Sequence, residues 1–313
     1  MNYRRLGRTN LQVSEIGFGA WAIGGTAYGS TRDEDSLSAL ETAWENGVNF
    51  FDTADTYGHG HSEELVARFL QDKPRDKVFI ASKAGWDFYH GGSRKNFTPD
   101  YLRFACEESL KRLKTNVIDL YQLHNPSLEL IEKGEAVGAL VDLKEQGKIR
   151  FIGISIHQDS EGLAAIRDGR VDTLQLVFNL LEPEMTARVF PEAKEKEIGM
   201  IAREPLACGL LTGKYKPDHV FPKDDHRRRW PKERLGEDLQ RVEALKKILS
   251  PHRLSLSRAA LEYVLQFEEI STVIPGAKTP AQVSENTLAS KDPCLRSQEL
   301  SQLKNFHSNP TTR

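Results

Sequence analysis

Short apolar segments alternate along the chain with longer amphipathic ones, and this alternation is its clearest feature. The apolar segments have the length and composition of buried β-strands, and amphipathic helical patterns follow them. We predict strands at 15–19, 49–52, 78–82, 118–123, 151–155, 173–178, 200–202 and 272–274. Strict alternation of strand and helix implies a parallel sheet, and eight such units imply an α/β fold of the closed (β/α)8 barrel (TIM barrel) type.

Capping signals support the helices between these strands. Thr98 is a predicted N-cap, with Pro99 at the first helical position. Thr279 and Gln282 have the spacing of a capping box that opens the last barrel helix. Gly147 ends a preceding helix just before the strand that starts near residue 149.

Two additions flank the predicted barrel. Residues 3–6 and 11–13 surround the turn-rich segment 7–10, which predicts an N-terminal hairpin, and residues 297–306 predict a C-terminal helix outside the barrel. No linker-like stretch divides the chain, so we expect residues 1–313 to form a single barrel domain. Residues 206–235 form a long, polar, proline-containing connection, and connections of that length are usually functional or disordered.

Composition narrows the class of protein. The net charge of −2 gives no bulk electrostatic reason to bind nucleic acid or acidic membranes. The three cysteines, Cys106, Cys208 and Cys294, have no metal or redox spacing, and an odd number argues against a secreted disulfide framework. The first ten residues are polar, and no apolar run approaches the roughly 20 residues of a membrane helix. We therefore expect a cytoplasmic protein.

Reactive side chains lie where three neighbouring predicted strands end. Asp52 ends the second strand, with Tyr57 just beyond it, while Lys83 and His124 end the third and fourth. Because the carboxyl ends of barrel strands share one rim, these four side chains should face each other. A lysine at the end of a buried strand is destabilising unless it is paired, and Asp52 is the nearest candidate partner.

This arrangement suggests acid–base chemistry. A lysine cation beside Tyr57 would lower the phenol pKa and make the tyrosine a general acid near neutral pH. His124 could orient a substrate carbonyl or assist the proton transfer. Simpler interpretations stay open, with Lys83 as a Schiff-base lysine and His124 as a structural histidine.

Residues 17–22 match a loose dinucleotide-binding pattern, G-x-G-x-x-A. That pattern requires a helix to open at the glycines. Gly24 and Gly25 follow almost at once, so we predict no such helix, although a close approach of backbone to ligand stays possible.

Six stretches carry a resemblance to a known family: FDTADTYG, ASKAG, LYQLHNP, VDTLQLVFN, PLACGLLTGKY and IPGAKTPAQVSEN. From the turn at Leu6 to Asn286 the chain resembles the aldo-keto reductases. The family's Asp, Tyr, Lys and His tetrad falls on Asp52, Tyr57, Lys83 and His124. The resemblance implies NADPH-dependent reduction of aldehydes or ketones, with hydride leaving nicotinamide C4 and the tyrosine supplying the proton.

The resemblance also implies a set of cofactor-binding residues. In order from nicotinamide to adenosine they are Gly19, Ala20, Trp21, Ser155, Gln175, Arg203, Leu206, Gly209, Leu211, Thr212, Lys214, Gly276, Lys278, Gln282, Glu285 and Asn286. Ile156 replaces an asparagine that commonly follows the family's serine and helps to hold the carboxamide. Arg203 stands where many members stack a tyrosine on the nicotinamide, and a guanidinium can also stack or hold an anionic substrate. Trp21 and Trp86 are the expected walls of the substrate site.

The residues expected at the adenosine end of the cofactor site predict a preference for NADPH over NADH. Lys278 directly precedes the capped helix, so its charge and the helix N-terminus could meet at the 2′-phosphate of NADP. The alternative is a surface lysine that balances Glu285. The run Arg227–Arg229 could reach cofactor phosphates, but a solvated loop is the favoured interpretation.

Two other functions remain open. A metal-dependent barrel hydrolase would use Asp52, Asp55, His124 and His157, although Lys83 would compete with the metal. A non-catalytic, nicotinamide-binding regulatory subunit would keep the cofactor site without turnover. The sequence does not identify the carbonyl substrate, the direction of the reaction or the oligomeric state.

Overall fold

The structure is a computed structural model that describes residues 1–25, 27–216, 218–249, 255–293 and 295–308. Its strands are β1 Tyr3–Arg5, β2 Gln12–Ser14, β3 Phe18–Gly19, β4 Phe50–Asp52, β5 Phe79–Ala84, β6 Trp86–Asp87, β7 Arg94–Lys95, β8 Ile118–His124, β9 Ile149–Ile156, β10 Thr173–Val177, β11 Gly199–Arg203 and β12 Ile270–Val273. Its α-helices are α1 Asp33–Glu45, α2 His61–Leu70, α3 Pro99–Leu113, α4 Leu128–Lys133, α5 Glu135–Glu145, α6 Asp159–Asp168, α7 Val189–Glu195, α8 Lys232–Ile248, α9 Leu256–Leu265, α10 Pro280–Lys291 and α11 Ser297–Ser308.

Eight of the strands form one parallel sheet in the order β3-β4-β5-β8-β9-β10-β11-β12. The two ends of this sheet are joined. The amide of Gly17 donates to the carbonyl of Val273 at 2.8 Å, and Gly19 donates to Pro275 at 3.1 Å. The predicted (β/α)8 barrel is therefore confirmed, and its carboxyl-terminal rim carries the ends of neighbouring strands side by side.

The first barrel strand is shorter than predicted. The prediction covered 15–19, whereas β3 contains only Phe18 and Gly19. Residues 15–17 still bond to Val273, but the pairing of this segment with β4 is limited to Phe18 and Gly19. Within residues 15–17, Ile16 forms only an isolated bridge with Val273, so no continuous ladder extends β3 toward residue 15.

The N-terminal hairpin forms as predicted, with β1 and β2 paired antiparallel. It covers the amino-terminal end of the barrel, because Leu6 and Val13 are fully buried against inward-facing barrel residues such as Leu120 and Ile201. The predicted C-terminal helix is α11, which packs on α8. No described helix has the length and apolar character needed to span a bilayer.

The described part of the long connection after β11 crosses the carboxyl-terminal rim. It contains 3-10 turns at Ala207–Thr212 and His226–Arg229 and then leads into α8. We call its residues 221–229 the strap. The strap pairs with the loop after β3, since the amide of His226 donates to Ala27 at 2.8 Å and Tyr28 forms a bridge with Asp225.

Candidate active site

The barrel register brings the predicted tetrad together. Asp52 is the last residue of β4 and lies opposite Ala81, two residues before Lys83 on β5. His124 is the last residue of β8. Tyr57 follows in a tight turn, where its amide donates to Ala54 at 3.1 Å. These backbone constraints direct all four side chains to one end of the barrel.

Lys83 is fully buried and satisfies its ammonium group with three acceptors. Its Nζ donates to Asp52 Oδ1 at 2.5 Å, to the Thr53 carbonyl at 2.8 Å and to the Tyr57 hydroxyl at 3.4 Å. The predicted pairing with Asp52 is confirmed. Burial alone would lower the pKa of Lys83, but the charge of Asp52 and the hydrogen bonds to Asp52 and Tyr57 outweigh it and raise that pKa. The lysine is therefore a cation at neutral pH.

The pKa of Tyr57 moves in the direction opposite to our expectation. Burial raises it, and although Lys83 lowers it, the net pKa lies above the usual value near 10. Asp52 adds to the rise, because its negative charge disfavours a phenolate. The predicted net lowering is wrong, and the phenol keeps its proton at neutral pH.

His124 is electrically neutral in this environment. Burial lowers its pKa well below the usual value, and the positive charges of Lys83 and Arg203 lower it further. Its ring meets the Tyr57 ring edge-on, with centroids 5.8 Å apart. Its Nδ1 is buried and has no hydrogen-bond partner among the described residues. A neutral imidazole can donate one hydrogen bond without adding charge.

A large cavity of 1270 Å³ opens above these side chains and extends to the start of α10. Asp52, Tyr57 and His124 line one end of it. Most of the predicted binding residues also line it: Gly19, Trp21, Trp86, Gln175, Arg203, Leu206, Gly209, Thr212, Lys214, Gly276, Lys278, Gln282, Glu285 and Asn286. The volume exceeds that of most small-ligand pockets and suits an extended ligand.

Four predicted site residues do not reach the cavity wall. Lys83 lies behind Tyr57, and Leu211 is fully buried in the core. Ala20 is also buried, with its amide bonded to the carbonyl of Asp52 at 2.8 Å. Ser155 is almost fully buried and donates its hydroxyl to Asn125 Oδ1 at 2.8 Å.

Asn125 is a cavity residue that the sequence reasoning missed. It follows His124 with a left-handed backbone (φ 59°), which asparagine tolerates better than most residues. Its amide lies beside Ser155, whereas Ile156 is fully buried. An amide is thus present near Ser155 despite the isoleucine. The Asn-Pro pair after a strand is a turn signal that could have indicated it.

Arg203 is held in place at the cavity wall. It forms an ion pair with Glu204 and donates to the Ile156 carbonyl at 3.3 Å and to His157 Nδ1 at 3.0 Å. Its buried Nε has no partner among the described residues. The guanidinium is therefore fixed, and Glu204, which we did not predict, compensates its charge.

The far end of the cavity is built around the start of α10. Thr279 caps the helix, since its hydroxyl accepts from the Gln282 amide at 3.4 Å. Gln282 Oε1 accepts from the Lys278 amide at 2.8 Å. The Lys278 ammonium donates to the carbonyls of Tyr28 and Gly29, at 2.5 and 3.2 Å. A lysine and a helix N-terminus at one place suit a phosphate.

Arg227 differs from its prediction, because it is buried rather than solvated. It makes a two-pronged ion pair with Asp225, with contacts of 2.9 and 2.6 Å. It also donates to the Tyr215 hydroxyl and the Cys208 carbonyl, each at 2.8 Å. Its guanidinium therefore stabilises the strap. Arg228 and Arg229 are exposed, as expected for a solvated loop.

The residues suggested for a metal-dependent hydrolase do not assemble into a ligand set. Asp52 is occupied by Lys83 and two amide donors. Asp55 is fully buried and does not line the cavity. Across the described ranges, no three His, Cys, Asp or Glu side chains are grouped closely enough to hold a metal ion.

Comparisons with known proteins agree with the barrel fold. The family model for the aldo/keto reductase family matches residues 15–307. An aldo-keto reductase from Bacillus halodurans, solved in its holo form, superimposes with a TM-score of 0.83 at 27% identity, covering 97% of this chain and 96% of that one. The chain therefore belongs to the aldo/keto reductase family, whose members are oxidoreductases that bind nicotinamide cofactors.

Three relatives illustrate the range within that family. The aldo-keto reductase YhdN of Bacillus subtilis is 33% identical over 90% of this chain and 87% of its own. The aldo-keto reductase yakc [NADP(+)] of Schizosaccharomyces pombe is 33% identical, with coverages of 90% and 85%. The NADH-specific methylglyoxal reductase of Escherichia coli is 29% identical, with coverages of 91% and 92%.

Proposed function

We propose that this protein is an NADPH-dependent oxidoreductase that reduces aldehydes or ketones to alcohols. The observation that carries the proposal is the contact of Lys83 with both Asp52 and the Tyr57 hydroxyl at the floor of the cavity. This places a protonated phenol, which can act as a general acid, beside a buried cation that can stabilise the phenolate left behind. The catalytic residues of the proposal are Asp52, Tyr57, Lys83 and His124.

Each of the four has a distinct task. A bound reduced nicotinamide supplies the hydride to the carbonyl carbon. Tyr57 gives its proton to the carbonyl oxygen, and Lys83 stabilises the negative charge that remains on the phenol oxygen. Asp52 keeps Lys83 charged and fixed. His124, which is neutral, donates a hydrogen bond that orients the carbonyl.

The shape of the cavity supports binding of a dinucleotide. Gly19 lines the cavity, and a Cβ there would lie 2.6 Å from the Ile274 carbonyl, so the packing of the barrel itself requires glycine at this position. Gln175 donates a hydrogen bond from Nε2 to Asp52, which leaves its Oε1 as an acceptor on the cavity wall. We assign the nicotinamide to this end, with Asn125 and Ser155 near its carboxamide, and Trp21 and Trp86 as the walls of the substrate site.

The preference for NADPH over NADH is a further part of the proposal. Relatives named for each cofactor are almost equally similar to this chain, so similarity does not decide the question. Two features of this chain favour the 2′-phosphate, namely Lys278 and the capped start of α10. Both place positive potential at the same end of the cavity.

Direct measurement of turnover tests the proposal. The purified protein is mixed with NADPH and a simple aromatic aldehyde, and absorbance is followed at the reduced-nicotinamide band. We expect the band to decay and the product alcohol to carry deuterium when the cofactor is deuterated at C4. A regulatory subunit would bind NADPH and leave the band unchanged across a panel of aldehydes and ketones, and that result would overturn the proposal.

A further inference from the structure

The Asp52 carboxylate receives hydrogen bonds from three different strands. Lys83 on β5 donates to Oδ1 at 2.5 Å. Two amides donate to Oδ2, Gln175 on β10 at 2.7 Å and Gln122 on β8 at 3.2 Å. All four side chains are buried. The proposed function accounts for Lys83 and Gln175, but it gives no task to Gln122.

The chemistry of the groups fixes the orientation of Gln122. An ionised carboxylate only accepts hydrogen bonds, so the amide nitrogen must face Asp52. The other amide atom, Gln122 Oε1, is buried without a partner among the described residues. An unsatisfied buried acceptor is destabilising. Leu120, two residues earlier on the same strand, belongs to the apolar barrel interior, so an apolar side chain would suit this environment.

Gln122 and Gln175 differ in one respect that separates their roles. Gln175 lines the cavity, whereas Gln122 does not. Gln122 therefore cannot touch a cofactor or a substrate bound there. Any effect of its amide on the reaction has to pass through Asp52.

The donor pattern shows what that effect is. With both amides on Oδ2, Asp52 presents Oδ1 to Lys83. The Lys83 ammonium group then donates one hydrogen bond to Asp52, one to the Thr53 carbonyl and one to the Tyr57 hydroxyl. We propose that Gln122 is a positioning residue for proton donation: its amide fixes the Asp52 carboxylate so that Lys83 stays directed at Tyr57. This inference rests on the proposed function.

Loss of the Gln122 amide should change the titration of Tyr57. The charged and titratable groups that act on its phenol include Lys83, Asp52 and Arg203, and the ring of His124 packs against it. Burial raises the pKa of Tyr57, and Lys83 is the strongest influence that lowers it. If Asp52 turns and Lys83 withdraws, that lowering weakens and the pKa of Tyr57 rises further.

The test uses Gln122→Met, which keeps the length of an unbranched side chain and removes the amide. The matched control is Thr173→Val. Thr173 is also a buried barrel residue, and its Oγ1 has no partner within the described part of the chain. Its Oγ1 and Gln122 Cγ would both lie within 3 Å of a Cβ placed at Gly153, so the two residues are neighbours.

We expect Gln122→Met to lower kcat roughly tenfold or more, as for loss of a hydrogen bond to a charged group. NADPH affinity should stay unchanged, and the basic limb of the pH–rate profile should move to higher pH. Thr173→Val should change none of these. Gln175→Met should weaken NADPH binding as well as turnover.

A second readout does not depend on turnover. In protein labelled with ¹³C at the tyrosine ring, the Tyr57 resonance is assigned by its absence in Tyr57→Phe. It should begin to titrate at higher pH in Gln122→Met than in wild type or Thr173→Val. An unchanged titration and an unchanged kcat in a folded Gln122→Met would overturn the inference. An inactive wild type would overturn the proposed function, while the titration would still decide the role of Gln122.

Discussion

The two ends of the cavity are built in different ways. At the tetrad end, the functional atoms sit on strand ends and are fixed by buried side-chain contacts, such as Lys83 to Asp52 at 2.5 Å. At the α10 end, they sit on loops and on a helix terminus. Lys278 is held there by backbone carbonyls of a different loop, at Tyr28 and Gly29.

This difference shows what each end depends on. The tetrad end requires particular side chains, because Lys83 bonds specific atoms of Asp52 and Tyr57 in a buried position. The α10 end requires a loop conformation and a net charge, and the strap maintains that conformation through Arg227 and Asp225. Substitutions at the tetrad end should therefore change the rate of chemistry, whereas those at the α10 end should change affinity.

The largest effect is expected at Tyr57. Tyr57→Phe keeps the ring and its contact with Trp21 but removes the only proton that the proposal transfers. We expect kcat for carbonyl reduction to fall by roughly 10²–10⁴-fold, the range for loss of a general acid. NADPH affinity, measured by quenching of protein fluorescence, should stay the same. Near-normal turnover in this variant would remove Tyr57 from its assigned role.

Lys83→Met tests whether the buried cation acts on Tyr57. Without it, Arg203 still opposes burial and Asp52, but the strongest lowering influence on the pKa of Tyr57 is gone, so that pKa rises and the basic limb of the pH–rate profile moves upward. We expect kcat to fall by roughly 10²-fold or more. Asp52 also loses its charged partner in the barrel interior, so thermal unfolding should occur at a lower temperature.

The control for Lys83→Met is Lys73→Met, which removes a largely covered lysine that does not line the cavity and whose ion pairs involve Glu41 and Asp72. It should leave kcat and the pH profile unchanged. A folded Lys83→Met with less than a tenfold loss would mean that the lysine has only a structural role. In that case the substitution of a buried side chain at the tetrad end would not control the rate of the chemical step.

The sequence predicted the tetrad end well for a physical reason. Hydrophobic periodicity locates a strand, and parallel register then places its last residue at the same rim as its neighbours. Asp52, Lys83 and His124 are strand residues in this sense. Tyr57 is only five positions beyond Asp52, so it has to lie near the same rim. The predicted direction of the shift in the Tyr57 pKa was wrong, because burial raises that pKa and the spacing of residues in the sequence does not show how deeply a side chain is buried.

Several of the contacts that the sequence missed depend on how the folded chain brings its segments together. Arg227 was expected in solvent, but Asp225 and Tyr215 hold it inside the strap. The bridge between Tyr28 and Asp225 joins residues almost 200 positions apart. Gln122 lies in an apolar strand, and only the folded barrel brings it to Asp52. Local patterns carry no information about such pairings.

Lys278→Ala tests the α10 end, where we expect a change in affinity. Removing a charged contact to the 2′-phosphate should weaken NADPH binding by about ten- to a hundredfold. NADH binding should hardly change, and kcat at saturating NADPH should be nearly normal. Fluorescence titration of both cofactors into both proteins measures this.

The control is Lys291→Ala, at the opposite end of α10, where the lysine bonds Asn46. It also removes one positive charge, but from the far end of α10, and should affect neither cofactor. Equal losses for NADPH and NADH in Lys278→Ala would show that Lys278 does not recognise the 2′-phosphate. The proposed cofactor preference would then fail while the proposed chemistry stood.

The smallest effect is expected at His124, where titration determines whether the imidazole at the tetrad end is neutral. Because its folded-state pKa is well below the ordinary value near 6.5, the ring should stay neutral from pH 8 down through pH 6.5. Its NMR signals, assigned by their absence in His124→Gln, should therefore not move over that range. In the unfolded chain the His124 ring is protonated below about pH 6.5, whereas in the folded protein it stays neutral. Acidification below that pH therefore favours the unfolded state, and the contribution of this histidine to stability is lost. His124→Gln should be correspondingly less sensitive to that fall in pH. A titration midpoint near pH 6.5 would mean that His124 is solvated, and the neutral hydrogen-bond donor proposed for the carbonyl would have to be replaced by an imidazolium.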